Sequence, residues 1–134
     1  MLQLSRMADY GVVVMSHIAR TPTSLHTSTV VATTTGLGEA TVSKLLKALA
    51  KSGLLTSVRG AHGGYQLATT AGLITLTQIV EAVDGPINLT RCLDHGDGCQ
   101  LAAHCNTKPA WQAINVAVRK AFSDVTLAQL VVKP

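Results

Sequence analysis

Aromatic side chains are scarce in this chain: one Trp, two Tyr and one Phe leave too few rings for a platform on which bases stack. Long apolar runs are missing too. "GVVVM" (11–15) falls far short of the ~18–20 residues that cross a bilayer, so no membrane partner is expected. No basic region followed by an apolar stretch and a cleavage site opens the sequence, and the expected setting is the reducing cytoplasm. Nor is there an NTP phosphate loop, since no Gly-Lys-Ser/Thr follows the glycine-rich "RGAHGG" (59–64). No internal repeat or low-complexity linker divides the 134 residues, which suit one ordinary domain with an appended element.

Acidic residues are few, seven against eleven Lys and Arg, and the imbalance is local. Residues 1–70 carry six basic side chains (Arg6, Arg20, Lys44, Lys47, Lys51, Arg59) against Asp9 and Glu39, whereas residues 71–134 carry five of each sign. The first half therefore suits a polyanion partner. Its pattern agrees. Met7, Tyr10, Val14 and Ile18 step by three or four, the spacing of one helix face. "TPTSLHTS" (21–28) breaks that pattern, and a short helix over about 29–35 ends at Gly36.

In "GLGEATVSKLLKALAKSGLL" (36–55), Val42, Leu45, Leu46 and Leu49 form an apolar stripe, with Lys44, Lys47 and Lys51 on the other side. Two helices joined by a glycine-containing turn, the second lysine-faced, describe a helix-turn-helix. "LLTSV" and "YQLA" around a glycine-rich turn with Arg59 and His62 then read as a basic hairpin, the wing of a winged helix. The expected contacts are Thr41, Ser43, Lys44 and Lys47 in a major groove and Arg59 in a minor groove. "TLTQIVEAVDGP" (75–86) is a helix opened by a Thr75–Gln78 capping box and closed at Gly85–Pro86. Trp111, Ile114, Val118 and Phe122 stripe a longer C-terminal helix, and the lone Trp on that face reads as a core or dimer-contact residue. The expected fold is mainly α with a small β-hairpin: a winged helix-turn-helix domain (1–86), a cysteine-rich loop (87–106), and a dimerisation helix with C-terminal tail (107–134).

Cysteine is confined to "CLDHGDGCQLAAHC" (92–105), where Cys92, Cys99 and Cys105 stand with Asp94, His95, Asp97 and His104. Three thiols cannot pair off as disulfides. Their spacing lacks the paired C-x2-C of common zinc modules, which leaves open an iron–sulfur cluster, Cys3His zinc and a redox-active thiol loop. Gly96 and Gly98 let the backbone wrap closely around a ligand. No positioned third group or oxyanion motif accompanies the Cys and His residues, so catalysis is not expected.

The order of "LSRMADYGVVVM", "TVSKLLKALAKSGLLTSVRGAHGGYQLA", "ITLTQIVEAVDGPINLTRC" and the three-cysteine loop resembles the Rrf2 family of bacterial transcription regulators over nearly the whole chain. Within it, the helix and hairpin look most like regulators of SUF-type iron–sulfur cluster assembly operons; other branches sense nitric oxide, iron or cysteine supply. The resemblance implies a homodimer with crossing C-terminal helices, a pseudo-palindromic double-stranded DNA operator, and repression as its expected sense. It also implies a 2Fe–2S or 4Fe–4S cluster held by Cys92, Cys99 and Cys105. The fourth ligand varies in the family. One branch uses a His three residues after the last cysteine, where this chain has Lys108; another uses an acidic residue of the first helix from the other subunit, which Asp9 in "MADYG" matches. His104 and His95 are local alternatives. The family's more common "RGPGGGY" reads "RGAHGGY" here, which leaves the part His62 plays at the DNA open.

Overall fold

The computed structural model describes residues 2–93 and 99–131. Helix α1 (Arg6–Ala19) starts where the Ser5 hydroxyl accepts the Ala8 N–H, so Ser5 supplies the cap and Asp9 stands exposed in the first turn. Helix α2 (Ser28–Thr35) is capped by Thr27 and ends at Gly36, whose φ of +81° is left-handed. Leu37 and Gly38 lead into α3 (Glu39–Lys51). The stripe Val42, Leu45, Leu46 and Leu49 is buried against α1, α2 and α4 (Leu76–Asp84). Each such side chain contributes about 1.5–3 kcal/mol by leaving water. Thr75 and Gln78 form the capping box of α4.

Strands β1 (Leu55–Val58) and β2 (Gly64–Leu67) pair antiparallel, with Leu55 opposite Leu67 and Val58 opposite Gly64. His26 adds a bridge to the outer side of β2, exchanging two 2.8 Å backbone hydrogen bonds with Tyr65. Its approach depends on Gly64, where a Cβ would lie 2.9 Å from the His26 carbonyl oxygen. The wing is thereby anchored to the loop between α1 and α2.

Three helices meet at Gly11. A Cβ there would lie 3.0 Å from Val83, 3.8 Å from Leu45 and 3.9 Å from Ile79, so the missing side chain lets α4 cross close to α1 and α3. Beyond α4 the chain runs through residues 85–90 and the short turns Arg91–Leu93 and Ala102–His104 into α5 (Lys108–Ser123). The last segment doubles back. Leu76 N–H donates to Val125, Leu127 N–H donates to Ile74, and Leu127 on α6 (Leu127–Leu130) is fully buried beside α1. The C-terminal segment thus completes the core of the winged-helix domain.

Candidate functional site

One face of α3 is built for solvent. With Val42, Leu45, Leu46 and Leu49 turned inward, Lys44, Lys47 and Lys51 are exposed, and Thr41 and Ser43 are half-buried at the helix start. Glu39 in the first turn accepts a 2.8 Å hydrogen bond from the Thr29 hydroxyl, tying the start of α3 to α2. Arg59 and His62 are both exposed at the turn between β1 and β2. The turn itself is set by Gly63, where a Cβ would sit 2.0 Å from the Val58 carbonyl oxygen. Beneath the wing, the rings of His17 and His26 meet edge-on at 5.4 Å. Burial, then the neighbouring His26 and Arg20, push the His17 pKa below its ordinary value. The His26 Nε2 lies 3.1 Å from the Thr21 hydroxyl and 3.2 Å from the Thr21 carbonyl oxygen.

The second feature is a cavity of about 570 Å³ that all three cysteines line, together with Thr90, Arg91, Gln100, Leu101, Thr107 and Trp111. All three thiols are free and half-buried. Sequence positions 92, 99 and 105 are thus brought to one wall-lined space. Cys92 Sγ lies 3.1 Å from the Thr90 hydroxyl and Cys105 Sγ lies 3.2 Å from the Thr107 hydroxyl. The Thr107 hydroxyl, then its backbone N–H and the nearby Lys108, hold the Cys105 thiol below the ordinary thiol range. Arg91 adds a cation to the lining.

Among the described residues, no three His, Cys, Asp or Glu side chains converge at the distances of a single ion. The three sulfurs share a cavity without closing on one point. Thiolates are the donors of iron–sulfur clusters and of structural zinc alike, so the chemistry of the three sulfurs on one cavity fits either group. Asp9 and His104 are exposed and are not among the described residues lining the cavity. His95, with Asp94 and Asp97, lies outside the described residues.

Trp111 corrects one half of its sequence reading. It is 39% exposed on the cavity wall and is not a core residue. Ile114 (45%) and Val116 (67%) are also exposed on α5, and the helix's buried residue is the polar Asn115. Periodicity identified the apolar stripe, but within the chain nothing covers its exposed end among the described residues. Sequence reasoning missed Asn115 and the α4–α5 polar seam. There the Thr77 hydroxyl donates to the Arg119 carbonyl oxygen at 3.1 Å and lies 2.8 Å from the Ser123 hydroxyl, and Arg119 pairs with Glu81. A lone Asn inside an apolar helical stripe was the available signal.

Comparison with known proteins adds an independent line. Residues 4–133 match the family described as "Rrf2: Iron-dependent Transcriptional regulator". The HTH-type transcriptional regulator IscR of Klebsiella pneumoniae is 35% identical over 96 residues, which span 72% of this chain and 58% of that protein. The matched stretch is therefore a little over half of the relative's length. Among solved structures, the global cysteine regulator CymR of B. subtilis superposes with a TM-score of 0.76 at 29% identity, covering 98% of this chain and 97% of that one. IscR of T. potens gives 0.72 at 27% identity, covering 97% of this chain and 86% of that one.

Proposed function

Because the chain belongs to the Rrf2 family of transcription regulators, we propose that it is a DNA-binding regulator whose operator affinity is set by an iron–sulfur cluster. The observation that carries this reading is the gathering of Cys92, Cys99 and Cys105 on one cavity beside α5, in a chain whose α3 presents a row of exposed lysines. The similarity to IscR supports it. Residues 1–86 bind DNA, 87–106 form the cluster loop, and 107–134 carry dimerisation, with the end of that last segment packed back on the first. The working form is a cytoplasmic homodimer, which the exposed Trp111 and Ile114 on α5 favour.

At the DNA, Lys44 and Lys47 neutralise phosphates while Thr41 and Ser43 at the start of α3 reach base edges. Arg59 and His62 at the wing tip lie over the adjacent minor groove, which attracts a guanidinium where it narrows. Cys92, Cys99 and Cys105 would hold the cluster, either 2Fe–2S or 4Fe–4S, and Asp9 from a second copy of the chain would complete its ligands. Asp9 is free in solvent on the first turn of α1, where another subunit's loop has access. When bound, the cluster supplies a ligation sphere sensitive to iron supply, oxidants and nitric oxide. Complete switching of operator occupancy requires about 5.5 kcal/mol of preference between two arrangements, within reach of one ligation sphere shared by two subunits.

A second reading, direct thiol-redox sensing, draws on the lowered pKa of Cys105 in a cavity that holds two more thiols. One experiment separates the two. Anaerobically purified protein is assayed for iron, sulfide and visible absorption, with Cys92→Ala, Cys99→Ala and Cys105→Ala alongside. The cluster reading expects colour and matched iron and sulfide, lost in each variant. Colourless, iron-free wild type that forms disulfides on oxidation would give the site to thiol chemistry. Lys44→Ala with Lys47→Ala should flatten the salt dependence of duplex binding by about one unit of slope per lost phosphate contact.

A further inference from the structure

The cysteine cavity and the DNA-binding helices are linked through Asn115. This side chain is 9% exposed and sits on α5, one helical turn beyond Trp111 of the cavity wall. Its Oδ1 accepts the Leu89 N–H at 3.0 Å, and its Nδ2 donates to the Ile87 carbonyl oxygen at 2.9 Å and to the Asn88 Oδ1 at 3.5 Å. Those three residues form the strap between the end of α4 and Cys92. They are half-buried and make no helix or strand of their own, so their backbone groups find partners outside regular structure. Asn115 supplies both a donor and an acceptor to the strap, which no apolar residue at this position can do.

The strap is held at both ends. It leaves α4 through Gly85, whose φ of +81° turns the chain sharply, and it passes through Thr90, whose hydroxyl touches Cys92 Sγ. On the far side of Asn115, α5 is hydrogen-bonded to α4 through Thr77, Arg119, Ser123 and Glu81. Helix α4 in turn packs on α1 and α3 at Gly11. Cavity, strap, α5, α4 and α3 therefore form one unbroken series of specific contacts, and its smallest element is a single carboxamide.

We propose that Asn115 is the positioning residue through which the state of the cysteine cavity sets the placement of α5 against α4 and the recognition helix α3. A change in where Cys92 is held moves the strap, and the two-sided hydrogen bonding of Asn115 converts that movement into a shift of α5. This inference rests on the cluster-regulator reading above. It adds the residue that couples the two sites, and coupling of this kind is a free-energy linkage that can be measured.

The test uses full-length wild type, Asn115→Ala and Asn115→Asp, each metal-free and after reconstitution with iron and sulfide. Operator affinity is measured on a duplex selected by the wild type from a random pool. Amide exchange at Leu89 in the metal-free proteins gives a readout that needs no cluster. Asn115→Asp keeps the acceptor for Leu89 and loses the donor to Ile87, which gives a second variant should the alanine form fold poorly. The expected result is faster Leu89 exchange in Asn115→Ala, unchanged affinity for random duplex, and a loaded-to-free ratio of operator affinities reduced about tenfold in both variants. A wild-type ratio retained in both variants would overturn the role of Asn115 and leave the regulator reading standing. Identical operator affinity of wild-type protein with and without iron and sulfide would overturn the regulator reading, and the coupling with it.

Discussion

Replacing Gly63 by alanine would place a methyl carbon 2.0 Å from the Val58 carbonyl oxygen and 3.0 Å from the Arg59 and Val58 carbonyl carbons. Every one of these neighbours is backbone, so no side chain can rotate away. To reach an ordinary carbon–oxygen separation of about 3.3 Å the turn must open by roughly 1.3 Å. A shift of that size breaks the 3.0 Å bond from Gly63 N–H to the Gly60 carbonyl oxygen and strains the pairing of Val58 with Gly64. The lost bond costs about 1 kcal/mol, and keeping the turn in a strained shape about 1–3 more, so about 2–4 kcal/mol is the ceiling. The wing is peripheral, and part of this is avoided if the hairpin lets go locally. Arg59 then loses its fixed place at the tip. Urea unfolding together with binding to operator and random duplexes reads both effects. The expected outcome is a lowered unfolding midpoint and a larger loss on operator than on random DNA. Gly72→Ala serves as the control, because a Cβ there meets nothing within 4 Å and should change stability by less than about 0.5 kcal/mol. Wild-type stability and unchanged discrimination in Gly63→Ala would refute the steric account of the wing.

Three further outcomes follow from other sites. With its pKa lowered by burial, His26 and Arg20, His17 binds fewer protons folded than unfolded. Its contribution is therefore complete above 6.5 and lost as pH falls through the lower folded value, and His17→Asn should flatten the stability–pH slope in that window. Thr107→Val removes the hydroxyl that most lowers the Cys105 thiol pKa, so iodoacetamide should alkylate Cys105 of the metal-free variant more slowly near neutral pH; an unchanged rate would detach Thr107 from this role. Leu127→Ala empties a fully buried position on α6 where it packs on α1 and should cost about 2–5 kcal/mol in urea unfolding, whereas a loss under 1 kcal/mol would mean α6 is not docked in solution.

The sequence by itself determined the features that arise from neighbours a few residues apart. The Thr75–Gln78 box, the left-handed Gly36 and the stripe from Val42 to Leu49 depend on neighbours three or four residues apart, and the hairpin after Gly53 pairs residues only six to twelve apart, all within reach of a linear reading. The three cysteines were legible as a candidate site because of their number and crowding, and the fold brings them to one cavity. What tertiary structure decided lies in pairings across the chain. His26 joins Tyr65, Leu127 returns to Ile74, and Asn115 takes hold of residues 87 to 89; no local pattern ranks these partners above others. Trp111 shows the difference most clearly. Its periodicity placed it on an apolar helical face, but periodicity does not say what that face meets, and only the folded chain turned it toward the cysteine cavity.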